Sequence, residues 1–315
     1  IYGLDIDNRA YQLAYFAVMM KARQYNRRIL SAATDCHVYS IQESNGINRE
    51  QLKYLGTGME EMERNIAMLQ IQGLLDTFTD AKEYGSILNV DNYDWELLNQ
   101  FVGNVSLSGQ LSFETIGIED TQNQLRILVE IGAVMAQRYD VVVTNPPYMG
   151  SSGMSSKVGD FVKQNYPKSK SDLCAVFIEK CIDMAKPNRK ISMVTMHSWI
   201  FLSSLELLRK KVITRTQIET INHLGMEAFD GIIGKVVATA AFCLNNSNYI
   251  LDYKGTAVQL TSFYDSRRWL KESEYFKPKN RYFYNQRTLS QIPGMLIAYW
   301  VSRNFIRKIK KGVPL

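Results

Sequence analysis

Tyr139-Asp140-Val141-Val142-Val143-Thr144-Asn145-Pro146-Pro147-Tyr148-Met149-Gly150 is the stretch on which the fold turns. Three consecutive valines predict a short strand covered on both faces. Asn-Pro-Pro-Tyr follows at once. Two prolines fix φ and give up their N–H groups, so the strand must stop. An Asn amide and a Tyr ring are then held rigidly at the carboxyl end of a strand, where open α/β sheets bind ligands. The alternative is a strand-ending turn with a structural tyrosine.

Upstream, Ile1-Tyr2-Gly3-Leu4-Asp5-Ile6-Asp7 predicts an apolar strand with an acidic tip, and Asp7 or Asn8 caps a helix over 9–28. Cys36 to Ser44 predicts a short strand over 38–41 that ends in polar residues. Residues 47–138 are read as mostly helical, with helices over 59–75, 94–102 and 118–138. In the first of these, Met62, Ile66, Leu69 and Leu74 mark the apolar positions. Downstream, Met149 to Lys157 is rich in Gly and Ser and predicts a mobile loop, with Lys163, Tyr166, Lys168 and Lys170 facing whatever enters. A helix over 171–186, a buried strand over 190–196, a helix to about 212 and strands over 218–224 and 236–244 follow. Residues 249–253 and 257–261 look like a short antiparallel addition. The whole reads as α/β with a mainly parallel sheet. From about Arg267 the chain mixes bases with aromatics (Arg267, Arg268, Trp269, Lys277, Lys279, Arg281, Tyr282, Phe283) and closes on Arg303, Arg307, Lys308, Lys310 and Lys311, a mixture that suits nucleic acid and equally a solvated helix at the start of a further domain.

The composition, 46% hydrophobic and 22% charged, is that of a globular chain rather than a disordered or fibrous one. No apolar run is long enough to span a membrane and no signal peptide is visible, so a cytoplasmic protein without membrane contact is expected. A net charge of +6 mildly favours a polyanionic partner. Cys36, Cys174, Cys181 and Cys243 form no Cys-x-x-Cys pair, and His37, His197 and His223 are scattered. Free buried thiols in a reducing compartment are expected, and no metal site.

Asn145-Pro146-Pro147-Tyr148 resembles the catalytic motif of the amino-group DNA methyltransferases that use S-adenosylmethionine. The motif order is similar to that of the N6-adenine class in which the cofactor motifs come first. Gly3 to Asp7 resembles the second motif, and Ser171-Asp172-Leu173 with Phe177-Ile178-Glu179 resembles the helix after the catalytic turn. Met193 to Trp199 resembles the next strand. Ala228-Phe229 with Val236-Val237-Ala238-Thr239 resembles the motif that packs on the target base. The chain is most similar to the adenine methyltransferases of BREX phage defence, the phage growth limitation type. That likeness rests on Tyr2 to Asp7, Ala14 to Ala17, Met19 to Arg23, 140–153, Ser169 to Leu173, His197-Ser198-Trp199, and Ile292-Pro293-Gly294 with Ile297 to Trp300.

The resemblance implies a Rossmann-like S-adenosylmethionine-dependent methyltransferase fold with a helical insertion. It implies methyl transfer to N6 of an adenine flipped out of duplex DNA, in phage defence or restriction-modification. Asn145 and the Pro146 carbonyl would accept from the adenine amino group, Pro147 would keep the turn rigid, and Tyr148 would stack on the base with Phe229 on its other side. Asp5 would take the cofactor's ribose hydroxyls, Ile6 its adenine face and Glu43 its adenine amino group. Other subunits of a defence complex are implied as partners. The family's Gly-rich first motif has no counterpart ahead of Asp5, and Tyr54-Leu55-Gly56-Thr57-Gly58 follows an expected helix rather than a strand. The fold is therefore expected to be incomplete at its N-terminus, with long apolar edges, and the chain alone to bind cofactor weakly and to be inactive. The expected organisation is 1–46 as the cofactor side, 47–138 as the helical insertion, 139–265 as the catalytic side and 266–315 as the start of a target-recognition region. Two other functions compete: a non-catalytic DNA-binding or assembly subunit, and a protein glutamine methyltransferase.

Overall fold

The computed structural model describes residues 1–31, 36–105, 117–229, 237–247, 253–302, 304–306, 308 and 312. The chain divides into two compact units, Ile1–Gln137 and Arg138–Leu315. Val236, most of the strand expected over 249–253, and Arg303, Arg307, Lys310 and Lys311 lie outside the described residues. Among the described residues, no helix is long and apolar enough to cross a membrane.

The first unit opens with β1 (Tyr2–Asp5), α1 (Asn8–Tyr25) and β2 (His37–Ser40), and β1 and β2 pair in parallel. Asp7 caps α1, accepting from the Arg9 N–H, as the sequence leads one to expect. None of α1 is buried, and Leu13, Phe16 and Met20 are exposed. Then come α2 (Glu61–Thr77), the single turn α3 (Ala81–Tyr84), α4 (Trp95–Gly103) and α5 (Ile118–Ala136). The apolar positions expected to pack in α2 are only partly those that do. Met62, Ile66 and Leu69 are exposed, and the helix buries Ala67, Ile71, Leu74 and Leu75 instead. The helix carries apolar residues on two faces, and the face with Ala67 and Ile71 is the one turned inward. Gly132 on α5 leaves room there, since a Cβ would lie 2.9 Å from Leu74.

The second unit runs β3 (Tyr139–Thr144), α6 (Ser156–Asn165), α7 (Leu173–Met184), β4 (Ala185–Met196), α8 (Glu206–Arg215), β5 (Gln217–Met226), β6 (Ala238–Asn245), β7 (Lys254–Gln259), α9 (Lys271–Tyr275), β8 (Arg281–Asn285) and α10 (Gln286–Leu289). Its sheet has the order β3-β4-β6-β5-β7-β8. The strands β3, β4, β5 and β7 share a direction, while β6 enters antiparallel between β4 and β5 and β8 runs antiparallel at the far edge. The sheet is mixed, with most of its strands parallel in direction. β7 corrects the expected antiparallel addition: it runs parallel to β5, and its antiparallel partner is β8.

The valine run is also corrected. β3 side chains alternate between the two faces of the sheet, so Val142 turns into the core, while Val141 is 58% and Val143 71% exposed on the opposite face. A triple valine reports β propensity but not whether neighbours exist on both sides. The core lies on the α7 and α8 side, where Ile178, Ile191, Val212, Ile221, Phe242 and Leu244 pack together. Each such side chain contributes about 1.5–3 kcal/mol when fully buried.

Residues from 266 on do not stand apart from 139–265. β8 extends the sheet, and Leu289, Ile292, Ile297 and Tyr299 belong to the same core. Two side chains tie this segment in. The Tyr284 hydroxyl reaches across Gly255 to donate to the Ile218 carbonyl at 3.0 Å. A Cβ on Gly255 would sit 2.6 Å from that carbonyl oxygen, so only glycine leaves the passage open. Arg209, fully buried, donates to the carbonyls of Trp199 (3.1 Å), Leu202 (2.5 Å) and Gly294 (2.8 and 3.0 Å).

Candidate active site

The turn after β3 is held chiefly from the α7 side. Asp172 caps α7, its carboxylate accepting from the Cys174 N–H at 2.8 Å. The chain just before and at the start of α7 then grips the turn's exit. The Leu173 N–H donates to the Met149 carbonyl at 2.8 Å and the Ser151 N–H to the Ser171 carbonyl at 3.0 Å, with Gly150 bridged to Asp172. The loop expected to be mobile is thus fixed at its root, and α6 begins at Ser156, capped by Ser155. Tyr166, expected to face an incoming ligand, is buried, and Lys163 pairs with Asp160.

The Cys174 thiol donates to the Pro147 carbonyl at 3.3 Å. Burial pushes this thiol up to about 12, so it stays protonated and able to donate. α7 is itself anchored by Glu179, buried, which accepts from Ser169 at 2.8 Å and from Lys211 at 3.1 Å.

Two acceptors at the head of the motif stay unengaged. Asn145 is exposed, and among the described residues its side chain has no hydrogen-bond partner. The Pro146 carbonyl likewise receives no donor, although the Pro146 ring is buried. Tyr148 is half-buried and donates its hydroxyl to the Val194 carbonyl of β4 at 3.4 Å. Burial pushes that phenol up to about 12. Phe229 is half-buried, three residues past the end of β5. β3 and β5 point the same way with β4 and β6 between them. Phe229 therefore follows the same end of the sheet as Asn145, with three inter-strand steps, roughly 14 Å, between the strand ends.

In the first unit, Asp5 is the last residue of β1 and Glu43 lies three residues past the end of β2, its parallel neighbour. One Asp5 carboxylate oxygen accepts from the Asp7 N–H at 2.8 Å; the other has no partner among the described residues. Ile6 is 52% exposed, with Gly85 packed so closely that a Cβ there would lie 2.8 Å from its methyl. Glu43 accepts from the Lys82 N–H at 3.1 Å through one oxygen. The structure brings Asp5, Ile6 and Glu43 to one end of one sheet, and Asn145, Pro146, Pro147, Tyr148 and Phe229 to one end of the other. Among the described residues no group of three His, Cys, Asp or Glu side chains is placed to hold a metal ion.

Several pairings that shape the second unit's site carried no signal in the sequence. Cys174 grips the turn from 27 residues away, and Arg209 meets Gly294 across 85 residues. His197, at the exit of β4, bonds to His223.

The family model described as Eco57I restriction-modification methylase matches residues 1–229. Over 312 residues the chain is 36% identical to the adenine-specific methyltransferase PglX of Lacticaseibacillus casei (strain Zhang), an overlap of 96% of this chain and 25% of that protein. It is 34% identical over 329 residues to the adenine-specific methyltransferase BrxX of Escherichia coli O9:H4 (strain HS), with 99% and 27% covered. The chain thus spans about a quarter of the length of the curated relatives it matches. Among solved structures, a nuclease-deletion mutant of the Type ISP restriction-modification enzyme LlaGI, in complex with a DNA substrate mimic, aligns with a TM-score of 0.41 and 11% identity, over 98% of this chain and 29% of that one. Asp5, the Asn145 turn and Phe229 all fall within the matched span, and the chain belongs to the Eco57I restriction-modification methylase family.

Proposed function

We propose that these residues carry the methyl-transfer site of a site-specific adenine DNA methyltransferase, acting on N6 of an adenine flipped from duplex DNA. The observation that carries this reading is the pair of unengaged acceptors, the Asn145 side chain and the Pro146 carbonyl, in a turn fixed through its Pro147 and Met149 carbonyls. The adenine amino nitrogen is a poor nucleophile because its lone pair is delocalised into the ring. Two fixed acceptors aimed at its two hydrogens draw it toward a tetrahedral geometry and localise that pair. The prolines and the grip of α7 hold the acceptors in advance, so no reorganisation is needed as charge develops. Tyr148, its hydroxyl anchored on β4, offers its ring to the extruded base, and Phe229 offers a second face.

The residues of the first unit fit S-adenosylmethionine. The free Asp5 oxygen suits a ribose diol, exposed Ile6 an adenine face, and the second Glu43 oxygen an amino group. The cofactor supplies an electrophilic methyl on a sulfonium. Duplex DNA is the proposed substrate and other subunits of a phage-defence assembly the proposed partners. Support comes from exposed Arg267, Arg268, Trp269 and Phe283, whereas Lys277 and Lys279 share the carboxylate of Glu274, which offsets one of their two charges.

The test uses the complete protein, labelled S-adenosylmethionine and an adenine-containing duplex. Asn145→Ala should lower methylation by about 10²–10³-fold, the usual cost of one preorganised hydrogen-bond partner. Activity within a few-fold of the unaltered protein would overturn the role of Asn145. Asp5→Asn should weaken cofactor binding by calorimetry, and unchanged affinity would remove Asp5 from the cofactor site.

A further inference from the structure

At the carboxyl end of the large sheet, two histidines and a tyrosine form a hydrogen-bonded chain that the proposed transfer does not use. His197 directly follows β4, His223 lies on β5, and Tyr299 comes from the segment after α10. His197 Nδ1 and His223 Nε2 are 2.7 Å apart, and His223 Nδ1 and the Tyr299 hydroxyl 2.8 Å. His223 and Tyr299 are each 3% exposed, while His197 is half-buried.

Burial sets the direction of this chain. The Tyr299 hydroxyl has no other partner among the described residues. If it accepted from His223, its own proton would be left unpaired in the core. It therefore donates to His223 Nδ1. A neutral imidazole has one donor and one acceptor, so His223 Nε2–H donates to His197 Nδ1. His197 then carries its proton on Nε2, and that N–H has no partner among the described residues. Burial lowers the pKa of both imidazoles, so both are neutral near neutral pH.

The unused donor lies at the same end of the sheet as the turn. Thr144 lies opposite Met193 in the β3–β4 register, and Val194 receives the Tyr148 hydroxyl. His197 is three residues further along that strand's path. Phe201 holds its ring edge-on, with centroids 5.5 Å apart, and in turn meets half-exposed Trp300.

We infer that His197 donates its Nε2–H to an acceptor atom of the substrate nucleotide bound at the Asn145–Tyr148 turn, with His223 and Tyr299 as positioning residues that fix its tautomer. The inference rests on the adenine-methylation reading.

In the complete protein, His197→Ala should lower kcat/KM for methylation roughly 3- to 10-fold, the worth of one net hydrogen bond, with cofactor affinity unchanged. His197→Gln, whose amide N–H reaches the Nε2 position, should restore most of this. Duplexes with 1-deaza-, 3-deaza- or 7-deazaadenine at the target, or a methylphosphonate beside it, locate the acceptor. The His197→Ala loss should vanish on the substrate that already lacks the partner. A loss that persists undiminished on all four substrates, or no loss at all, overturns the inference. Independently of activity, ¹⁵N shifts in the chain should show His197 protonated at Nε2, shifting toward mixed tautomers in Tyr299→Phe. Protonation at Nδ1 overturns it. If the unaltered protein methylates no adenine duplex, the proposed function fails, and the tautomer readout stands apart from that failure.

Discussion

Acidification should unlatch the second unit through His223. Its imidazole is pushed down to about 4 from an ordinary 6.5, first by burial and then by the neighbouring His197. Between those values the unfolded chain binds a proton that the folded chain refuses, so stability rises with pH across the window and is lost as pH falls through it. From pH 6.5 to 4.5 the loss from this one group is about 2 kcal/mol, since the full slope of 1.36 kcal/mol per unit is reached only below the unfolded value. His197 is lowered too and acts in the same direction. Asp172, raised by burial, opposes them. The assay is urea unfolding followed by the emission of Trp199, which is buried edge-on against Phe242, at a series of pH values. His223→Gln removes the titrating group, so the difference between the two proteins isolates it from Asp172. The expected difference in pH dependence is about 2 kcal/mol. A difference that stays flat to within half a kcal/mol, or a His223 proton titration centred near 6.5, would refute the reasoning.

Arg209→Met should cost about 3 kcal/mol or more, since three carbonyls lose a charged donor inside the core; denaturant midpoints measure it, and a loss below 1 kcal/mol would show that water reaches those carbonyls. Gly255→Ala should cost about 1–3 kcal/mol by forcing Tyr284 off the Ile218 carbonyl. Amide exchange in β7 and β8 should quicken well before exchange in β4, and uniform protection would contradict the tie.

What could be read in the sequence was whatever is local. Asp7 and Asp172 cap their helices as their positions suggest, and Asn145-Pro146-Pro147-Tyr148 does end a strand. A family resemblance carried the site further than periodicity could. The failures share a cause. Val141 and Val143 look like core because a valine run does not record that only one face of its strand is covered. The α2 stripe misled because that helix has two apolar faces and only tertiary packing chooses between them. β8 was hidden inside a run of bases and aromatics, and the histidine chain joins residues 26 and 76 apart that no local pattern links.

The Arg209 clamp bears on the order in which the protein matures during synthesis. Two of its three acceptors, Trp199 and Leu202, leave the ribosome before the arginine, but Gly294 follows 85 residues after it. Until then a guanidinium destined for the interior lacks one of its acceptors. The loops at the working end of the sheet cannot settle, however well the strands behind them have paired. Nascent chains cut short of Gly294 should therefore stand out to quality-control proteases as unfinished, so that only chains translated past that glycine persist with the site assembled.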